Sequence, residues 1–282
     1  MDYKMNKPIL FEDYYDISSD NYCDNPALTI PLGVNEQGIL EQVEITDKYW
    51  QHVIVAGQAG SGKSSYMHTL LASLLLSYSA EQMGIYLEDQ GMCEFNRFAN
   101  TAPAHIRSVN ICSSSESYIA FVDTLEREID NRLKHLASVE QTSFYASYQE
   151  KTPRSSPRLV VMIDGFDHFV RCLFDIDHDY VKKLEHIVRR ASALGITFIV
   201  STQEALFLAQ HISRSFFELF GIRVATRQSP DSYGILFNPR ARELMPELKL
   251  GEMITSTSPE KISMLYISPE MERKIIENLI SR

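Results

Sequence analysis

The chain has 282 residues, a formal net charge of −10, 44% hydrophobic residues and 23% charged residues. These values are typical of a globular protein with room for one large domain or two small ones. The negative charge argues against non-specific binding to nucleic acid, which depends on lysine and arginine neutralising phosphates. The sequence contains no run of about 18 apolar residues, so no segment of it is expected to insert directly into a membrane.

Residues 1–25 are rich in tyrosine and aspartate, and we expect them to form an extended, polar lead-in, part of which could belong to a tag. They lack the apolar core of a signal peptide. Residues 26–282 are expected to form a single domain. This domain opens with two β-rich runs, at 27–32 and 39–45, on either side of a loop that contains two glycines. The pattern predicts an N-terminal β-hairpin.

The segment GQAGSGKS at residues 57–64 matches the phosphate-binding loop pattern G-x-x-x-x-G-K-[ST]. An apolar run at 52–56 predicts a buried strand before the loop, and residues 64–78 predict a helix after it. Glycines let main-chain N–H groups converge on phosphate oxygens at positions where a Cβ atom would clash. In this pattern the lysine reaches the β- and γ-phosphates of the nucleotide, and the serine hydroxyl coordinates Mg²⁺. The predicted ATP-binding residues are Gly57, Gln58, Ala59, Gly60, Ser61, Gly62, Lys63, Ser64 and Ser65.

Strands and helices alternate over the rest of the chain. The predicted order is a strand at 83–87, a short strand at 107–111, a helix at 116–138, a break at 152–157, a strand at 159–164, a helix at 179–194, a strand at 196–200, a helix near 212–219, a strand at 222–225, β-like runs at 253–255 and 262–267, and a helix after Ser268. Apolar strands separated by helices indicate a mainly parallel sheet covered on both faces. The sequence therefore predicts an α/β fold.

Polar side chains follow several of these strands at the point where each strand ends. They are Glu88 and Asp89, Asp164, and residues 201–203. Because ligands of parallel α/β sheets bind at the carboxyl ends of the strands, these groups are expected to lie beside the phosphate-binding loop. Asp164 is the predicted second Mg²⁺ ligand, together with Ser64. A turn-capping role for Asp164 is the alternative.

Gly165 occupies the position at which many ATPases of this build place a glutamate that orients the attacking water. A positioned general base contributes about 10²- to 10⁴-fold to a rate. The sequence therefore predicts a degenerate Walker B motif, in a site that binds ATP and hydrolyses it weakly or not at all. Asp167 is the candidate substitute for the missing base. Gln203 is the candidate sensor of the γ-phosphate, with a turn-stabilising role for residues 201–203 as the alternative.

Two further patterns leave alternatives open. Arg223 and Arg227 are candidates for charges presented to the nucleotide of a neighbouring subunit, or they are ordinary surface arginines. Residues 233–237, with the sequence YGILF, either line a groove for an amphipathic helix or belong to the core.

Transition-metal and disulfide sites have little support in the sequence. No C-x-x-C pair occurs, so neither a zinc site nor a disulfide framework is indicated, and reduced thiols are expected. The cysteines are scattered, at Cys23, Cys93, Cys112 and Cys172. Asp164, Asp167 and His168, with His178 nearby, form an alternative metal site that competes with the nucleotide interpretation.

The order of these motifs resembles the FtsK/SpoIIIE family of RecA-like motor ATPases. The resemblance is carried by residues 27–34, the segment 51–64, the run LVVMIDGFD at 159–167, the run ASALGITFIVSTQ at 191–203, GIRVA at 221–225 and GEM at 251–253. It covers residues 25–268 and implies a RecA-like P-loop fold. The chain departs from the family pattern at 164–166, where Asp-Gly-Phe replaces Asp-Glu-Phe.

This family includes chromosome-pumping translocases and the membrane ATPases of type VII secretion, EssC and EccC. The secretion proteins carry three such modules, of which the later ones often have degraded catalytic motifs. The resemblance implies a second or third module, and the end of the chain soon after its core fits the last one. The implied partners are neighbouring modules and small helical secreted proteins, with nucleic acid not expected. The implied location is cytoplasmic, as a soluble part of a membrane-anchored protein, and a DNA-translocating or conjugation ATPase is the alternative.

Overall fold

The computed structural model describes residues 8–18, 22–23, 27–46, 51–90, 94–111, 114–140, 143–144, 157–238, 247–258 and 260–281. Its strands are β1 (Ile9–Leu10), β2 (Leu28–Val34), β3 (Leu40–Ile45), β4 (Val53–Ala56), β5 (Met83–Asp89), β6 (Ile106–Ile111), β7 (Arg158–Asp164), β8 (Ile196–Thr202), β9 (Ile222–Ala225), β10 (Glu252–Thr255), β11 (Ile262–Ser263) and β12 (Leu265–Tyr266). Its helices are α1 (Lys63–Ser77), α2 (Ser115–Ser138), α3 (Phe166–Ile176), α4 (His178–Ala191), α5 (Ala205–His211), α6 (Arg214–Phe217), α7 (Pro230–Leu236) and α8 (Pro269–Ser281).

The main sheet has ten strands in the order β3-β2-β11-β10-β9-β4-β8-β7-β5-β6. All neighbours from β9 to β6 are parallel. The remaining neighbours are antiparallel and include the predicted hairpin of β2 and β3. Strands β4 and β8 are buried along their whole length, as expected for parallel strands covered on both faces. The predicted α/β fold with a mainly parallel sheet is therefore confirmed.

Helices cover both faces of this sheet. On one face, α2, α3 and α4 pack their apolar sides on β7 and β8. On the other face, α1 packs on β4 and β5, and its outer side meets a third cluster formed by the N-terminal segment and α8. Because α1 is enclosed on two sides, it is buried around almost its whole circumference. The carboxyl ends of the central strands are thus held rigidly beside the start of α1.

The N-terminal segment contributes to the core. Strand β1 pairs in parallel with β12, and Phe11 is completely buried against Leu265 and Ile275. The other residues of 8–18 are partly or fully exposed, so this segment lies on the domain and is anchored to it by Phe11. Of the predicted break at 152–157, only Pro157 is among the described residues.

Several helical regions differ from expectation. Helix α3 was not predicted, although it buries Phe166, Phe169 and Val170 with helical spacing. The helix predicted near 212–219 is only the short α6, which begins after Ser213 because the Ser213 hydroxyl accepts the N–H of Phe216 at 2.9 Å. The short helices α5 and α7 were not predicted. The other predicted helices agree with the structure to within a few residues. Among the described residues, no helix has the length and apolar character needed to span a bilayer.

Candidate nucleotide site

The phosphate-binding loop and the predicted polar groups meet at the carboxyl edge of the sheet. Ala56, the last residue of β4, is paired with Thr202 at the end of β8. Asp89, at the end of β5, is paired with Asp164 at the end of β7. The predicted convergence of these groups beside the loop is therefore present in the fold.

The loop at 57–64 is held in a conformation that requires glycine. Gly60 and Gly62 have positive φ angles of 69° and 99°. A Cβ atom on Gly57 would lie 1.8 Å from Oγ1 of Thr226, so no side chain fits at that position. The loop is tied to its neighbour because the N–H of Gln58 donates to the carbonyl of Arg227 at 2.9 Å. The loop is therefore a preformed main-chain cradle.

Lys63 lies at the base of this cradle. Its side chain is buried, and Nζ donates to the carbonyl oxygen of Gln58 at 3.1 Å. Burial lowers the pKa of Lys63, while the charges of Asp164 and Asp167 act in the opposite direction. The lysine thus provides a partly desolvated ammonium group between the loop and two carboxylates, which suits it to an anionic ligand.

Asp164 is oriented by Ser201 on the adjacent strand. The Ser201 hydroxyl donates to Oδ1 of Asp164 at 2.6 Å and accepts the N–H of Gly165 at 3.0 Å. Burial raises the pKa of Asp164, as do the charges of Glu94 and Asp89, whereas the hydrogen bond from Ser201 lowers it. A carboxylate in this acidic, buried position favours a cation as its partner.

Gly165 has a backbone conformation and a neighbour that both disfavour the expected glutamate side chain. Its backbone is left-handed, with φ 76° and ψ 47°. A Cβ atom at this position would lie 3.1 Å from Cβ of Gln90, which is itself fixed by hydrogen bonds from Tyr118 and to Glu88 at 2.7 and 2.6 Å. A glutamate here would therefore meet both backbone strain and a steric contact.

Asp167 and Gln203, the two predicted catalytic residues, are brought together by α3 and β8. Oδ1 of Asp167 accepts the main-chain N–H of Gln203 at 3.1 Å, so this carboxylate has a positioning role in the structure. The charge of Asp167 also acts on Lys63. The side chain of Gln203 is exposed at the same edge.

The two candidate arginines have different environments. Arg223 is half-buried, donates to the carbonyls of Phe220 and Leu236 at 2.7 and 2.5 Å, and lies over the ring of Phe217. Its guanidinium is committed to the packing of its own domain. Arg227 is exposed beside the phosphate-binding loop. The structure therefore favours a structural role for Arg223. Arg227 remains the candidate for a charge presented to the nucleotide of a neighbouring subunit.

The fold also bears on the alternative metal site, the cysteines and residues 233–237. Among the described residues, no three histidine, cysteine, aspartate or glutamate side chains form a metal-binding group, so the alternative at Asp164, Asp167, His168 and His178 is not supported. Cys23 and Cys172 are free thiols, and the other two cysteines lie outside the described residues. Within the run YGILF at 233–237, helix α7 buries Tyr233 and Leu236 in the core, which favours core packing over a groove.

The sequence profile of the FtsK/SpoIIIE family matches residues 15–230, which is most of the chain. The chain belongs to the FtsK/SpoIIIE family. A curated relative, the DNA translocase FtsK of Chlamydia muridarum, is 25% identical over 293 aligned residues, which cover 95% of this chain and 35% of that protein. The chain thus spans about a third of the length of the curated relatives it matches. The aligned part is 35% of this relative and 34% of a second one.

Solved structures of similar fold include two secretion ATPases. EssC (ATPases 2 and 3) from Geobacillus thermodenitrificans is 17% identical, with a TM-score of 0.74 over 98% of this chain and 52% of that one. EccC (ATPases 2 and 3) from Thermomonospora curvata, in complex with a signal sequence peptide, is 16% identical, with a TM-score of 0.70 over 93% of this chain and 48% of that one. These similarities establish a shared fold.

This FtsK/SpoIIIE domain also contains site residues that the sequence motifs did not reveal. Glu94 follows β5 and reaches α1, where its carboxylate lies 3.1 Å from Nε2 of His68. Thr202 and Thr226 flank the base of the loop, and Thr226 donates to the hydroxyl of Ser61 at 2.7 Å. Thr202 lies in a predicted polar run, whereas Glu94 belongs to no recognisable pattern, and only the fold brings it to the site.

Proposed function

We propose that this chain is an ATP-binding module of a type VII secretion motor ATPase that hydrolyses ATP weakly or not at all. The observation that carries the proposal is Gly165, whose left-handed backbone and close contact with Gln90 disfavour the glutamate that the family pattern has at this position. The phosphate-binding loop, Lys63 and Asp164 remain intact. Such a site retains the groups that bind a nucleotide and lacks the one that activates water.

The residues at the site fit ATP and Mg²⁺. The main-chain N–H groups of the loop at 57–64 and the ammonium of Lys63 would hold the phosphates, and Ser64 and Asp164 would hold the metal. Gly57 packs directly against the side chain of Thr226, so a Cβ atom has no space at the base of the cradle. In addition, the hydroxyl of Thr202 is completely buried at this edge and has no hydrogen-bond partner within the described part of the chain.

Bound Mg²⁺ would neutralise charge on the β- and γ-phosphates. The side chains of this domain would position the groups that contact the nucleotide and the metal. Ser201 holds the Asp164 carboxylate, and Asp167 holds the main chain of Gln203 beside the loop. Lys63 would exchange its present acceptor, the carbonyl of Gln58, for phosphate oxygens. Asp167, the candidate substitute for the missing base, is engaged through Oδ1 with the main-chain N–H of Gln203.

The module is proposed to act within a larger, membrane-anchored protein, in the cytoplasm, as one domain that includes residues 26–282. Its partners would be neighbouring ATPase modules and small helical secreted proteins that carry the export signal. This part of the proposal draws on the family resemblance, the net charge of −10 and the fold shared with EssC and EccC. Since fold does not by itself fix function, binding and turnover must be measured directly.

The decisive experiment is a titration with fluorescent ATP in the presence of Mg²⁺, paired with an assay of phosphate release. We expect saturable binding to the natural chain, loss of binding in Lys63→Ala, and phosphate release close to the rate without protein. Fast phosphate release that disappears in Lys63→Ala or Asp167→Ala would contradict the weakly hydrolysing character. Failure of millimolar ATP to raise the melting temperature would contradict binding itself.

A second candidate function is that of a DNA-translocating or conjugation ATPase. It is favoured by the curated relative named as a DNA translocase, which aligns with 95% of this chain. The net charge opposes it. Salt-sensitive binding of duplex DNA, together with ATP turnover that DNA stimulates, would favour this candidate over the first.

A further inference from the structure

The side chain of Gln90 covers the residue at which the family glutamate is missing. Strands β5 and β7 end side by side, at Asp89 and Asp164. Gln90 and Gly165 follow these two ends directly. A Cβ atom placed on Gly165 would lie 3.1 Å from Cβ and 3.3 Å from Cγ of Gln90, whereas the polar atoms of Gln90 are more than 4 Å from that point. The stem of Gln90, its Cβ and Cγ atoms, therefore faces Gly165, and its carboxamide lies farther away.

The carboxamide of Gln90 is held by two hydrogen bonds. Its Nε2 donates to Oε1 of Glu88 at 2.6 Å, and its Oε1 accepts the hydroxyl of Tyr118 at 2.7 Å. Because a carboxylate oxygen is an acceptor, the amide nitrogen must face Glu88, which leaves the amide oxygen for Tyr118. Two elements of the fold, β5 and α2, thus fix the orientation of this side chain.

Both partners of Gln90 are themselves held in place. Glu88 is completely buried on β5, and its Oε2 accepts a hydrogen bond from Nδ2 of Asn110 on β6 at 2.6 Å. Tyr118 is buried, and its ring lies 5.7 Å from that of Phe169 on α3. A buried polar group that loses its partner raises the free energy of the folded chain, so these bonds resist breaking. The stem of Gln90 is therefore kept against Gly165.

ATP hydrolysis needs a proton acceptor beside the attacking water. The water oxygen bonds to the γ-phosphorus, the bond from that phosphorus to the bridging oxygen of ADP breaks, and a base takes the proton that the water releases. The CH₂ groups that Gln90 places over Gly165 can neither take a proton nor form a hydrogen bond with water. They cannot replace the missing carboxylate.

We propose that the stem of Gln90, held by Tyr118 and Glu88, is a block that suppresses hydrolysis in addition to the missing glutamate. The inference rests on the proposed function, in which ATP binds at residues 57–64 and is hydrolysed weakly or not at all. A carboxylate introduced at position 165 would have to pass the stem of Gln90 before it reached the water. The block therefore predicts that the glutamate restores turnover only when the stem is removed as well.

The test compares phosphate release by the natural chain, Gly165→Glu, Gln90→Gly and the double variant. Titration with fluorescent ATP first establishes a concentration that saturates all four chains. Each single variant should stay close to the natural chain, since Gly165→Glu keeps the block and Gln90→Gly adds no base. The double variant should release phosphate at least about tenfold faster than either single variant, which is part of the contribution of about 10²- to 10⁴-fold from a positioned base.

Two further variants serve as matched comparisons in the Gly165→Glu background. Gln90→Ala retains Cβ and removes only Cγ and the carboxamide, so its gain should be smaller than that of Gln90→Gly. Tyr118→Phe removes the hydroxyl that holds Gln90 and should raise phosphate release, because the side chain can then turn away. Tyr14→Phe also removes one hydroxyl, which donates to the carbonyl of Gly38 in the hairpin at 3.0 Å, and should have no effect.

A measurement of stability tests the same contact without relying on activity. Urea unfolding gives the effect of Gly165→Ala on the unfolding equilibrium constant, once in the natural chain and once in Gln90→Gly. The effect should be at least about twofold smaller in Gln90→Gly, since only the strain of the left-handed backbone then remains. Equal effects in the two chains would overturn the proposal.

The outcomes separate this inference from the proposed function. Absence of ATP binding, or fast phosphate release, in the natural chain would overturn the proposed function. Weak release by the natural chain, with equal rates in Gly165→Glu and the double variant, would overturn only the block, whether those rates are low or high. If the double variant does not fold, the urea measurement decides.

Discussion

The hydroxyl of Ser201 connects Asp164 on β7 with its own strand β8. It donates to the Asp164 carboxylate at 2.6 Å and accepts the Gly165 N–H at 3.0 Å. One serine therefore fixes both the predicted metal ligand and the main chain of the residue after it. This arrangement makes Ser201 a support for the turn that follows β7.

Replacing Ser201 with alanine should destabilise the fold and weaken the effect of Mg²⁺ on ATP binding. The N–H of Gly165 and a carboxylate oxygen would both lose a partner, and a buried group left without its hydrogen bond costs about 1–3 kcal/mol. Urea unfolding measures this change. Ser138→Ala, which removes only an exposed hydroxyl bonded within α2, is the control and should lie within about 0.5 kcal/mol of the natural chain. Equal stability of both variants would contradict the role given to Ser201.

Restoring the family glutamate, by Gly165→Glu, should lower stability without creating an active ATPase. A side chain with left-handed backbone costs about 1–2 kcal/mol, and the contact with Gln90 adds to it. Gly165→Asn should be less harmful than Gly165→Ala, since asparagine tolerates this conformation better. Urea unfolding and phosphate release measure the two effects. Rapid ATP turnover in Gly165→Glu would show that the turn can relax and that the missing side chain alone limits catalysis.

Gly57→Ala should disturb the cradle through Thr226. The added Cβ would lie 1.8 Å from Oγ1 of Thr226, so one of the two segments must shift, and overpacking of this kind costs about 1–3 kcal/mol. ATP affinity should fall because the loop moves. In a Thr226→Ala background the cost of Gly57→Ala should be smaller by at least about 0.5 kcal/mol, which a double-mutant cycle measures. Additive effects in that cycle would show that the contact is not the cause.

The sequence predicted those parts of the site that depend on local patterns. The loop at 57–64, the apolar strand at 159–164 and the ends of the parallel strands could be read from short segments, because glycine placement and burial are local requirements. Helix α3 was missed since it begins after Gly165, which offers no capping side chain. Its apolar spacing was present but lacked a start signal.

The parts that were not predicted depend on contacts between distant segments. His68 and Glu272 are 204 positions apart, and neither lies in a motif. The pairing of β11 with β2, which joins the hairpin to the main sheet, likewise depends on segments far apart in the chain. Such contacts depend on which groups pack and form hydrogen bonds together in the folded chain. The hydrophobic periodicity of a short segment does not predict them.

The buried His68 should make stability fall as the solution becomes alkaline. Burial lowers its pKa, but hydrogen bonds to Glu272 and Glu94 outweigh this effect and raise the pKa to about 9, with Arg97 acting against them. Because the pKa is higher in the folded chain than the unfolded value of about 6.5, the contribution is complete below pH 6.5 and is lost as the pH rises to about 9. The linked loss is on the order of 3 kcal/mol.

Urea unfolding between pH 6 and about 9.5 measures this loss in the natural chain and in His68→Gln. The variant should be less stable than the natural chain at pH 6. Its stability should approach that of the natural chain at alkaline pH, because the imidazole of His68 has then lost its positive charge. His186→Gln, at an exposed position on α4, is the control for removing one histidine. If His68 is charged, the difference in free energy of unfolding between the natural chain and His68→Gln must shrink as the ring loses its proton. A difference that stays constant over the whole pH range would mean that His68 acts through packing.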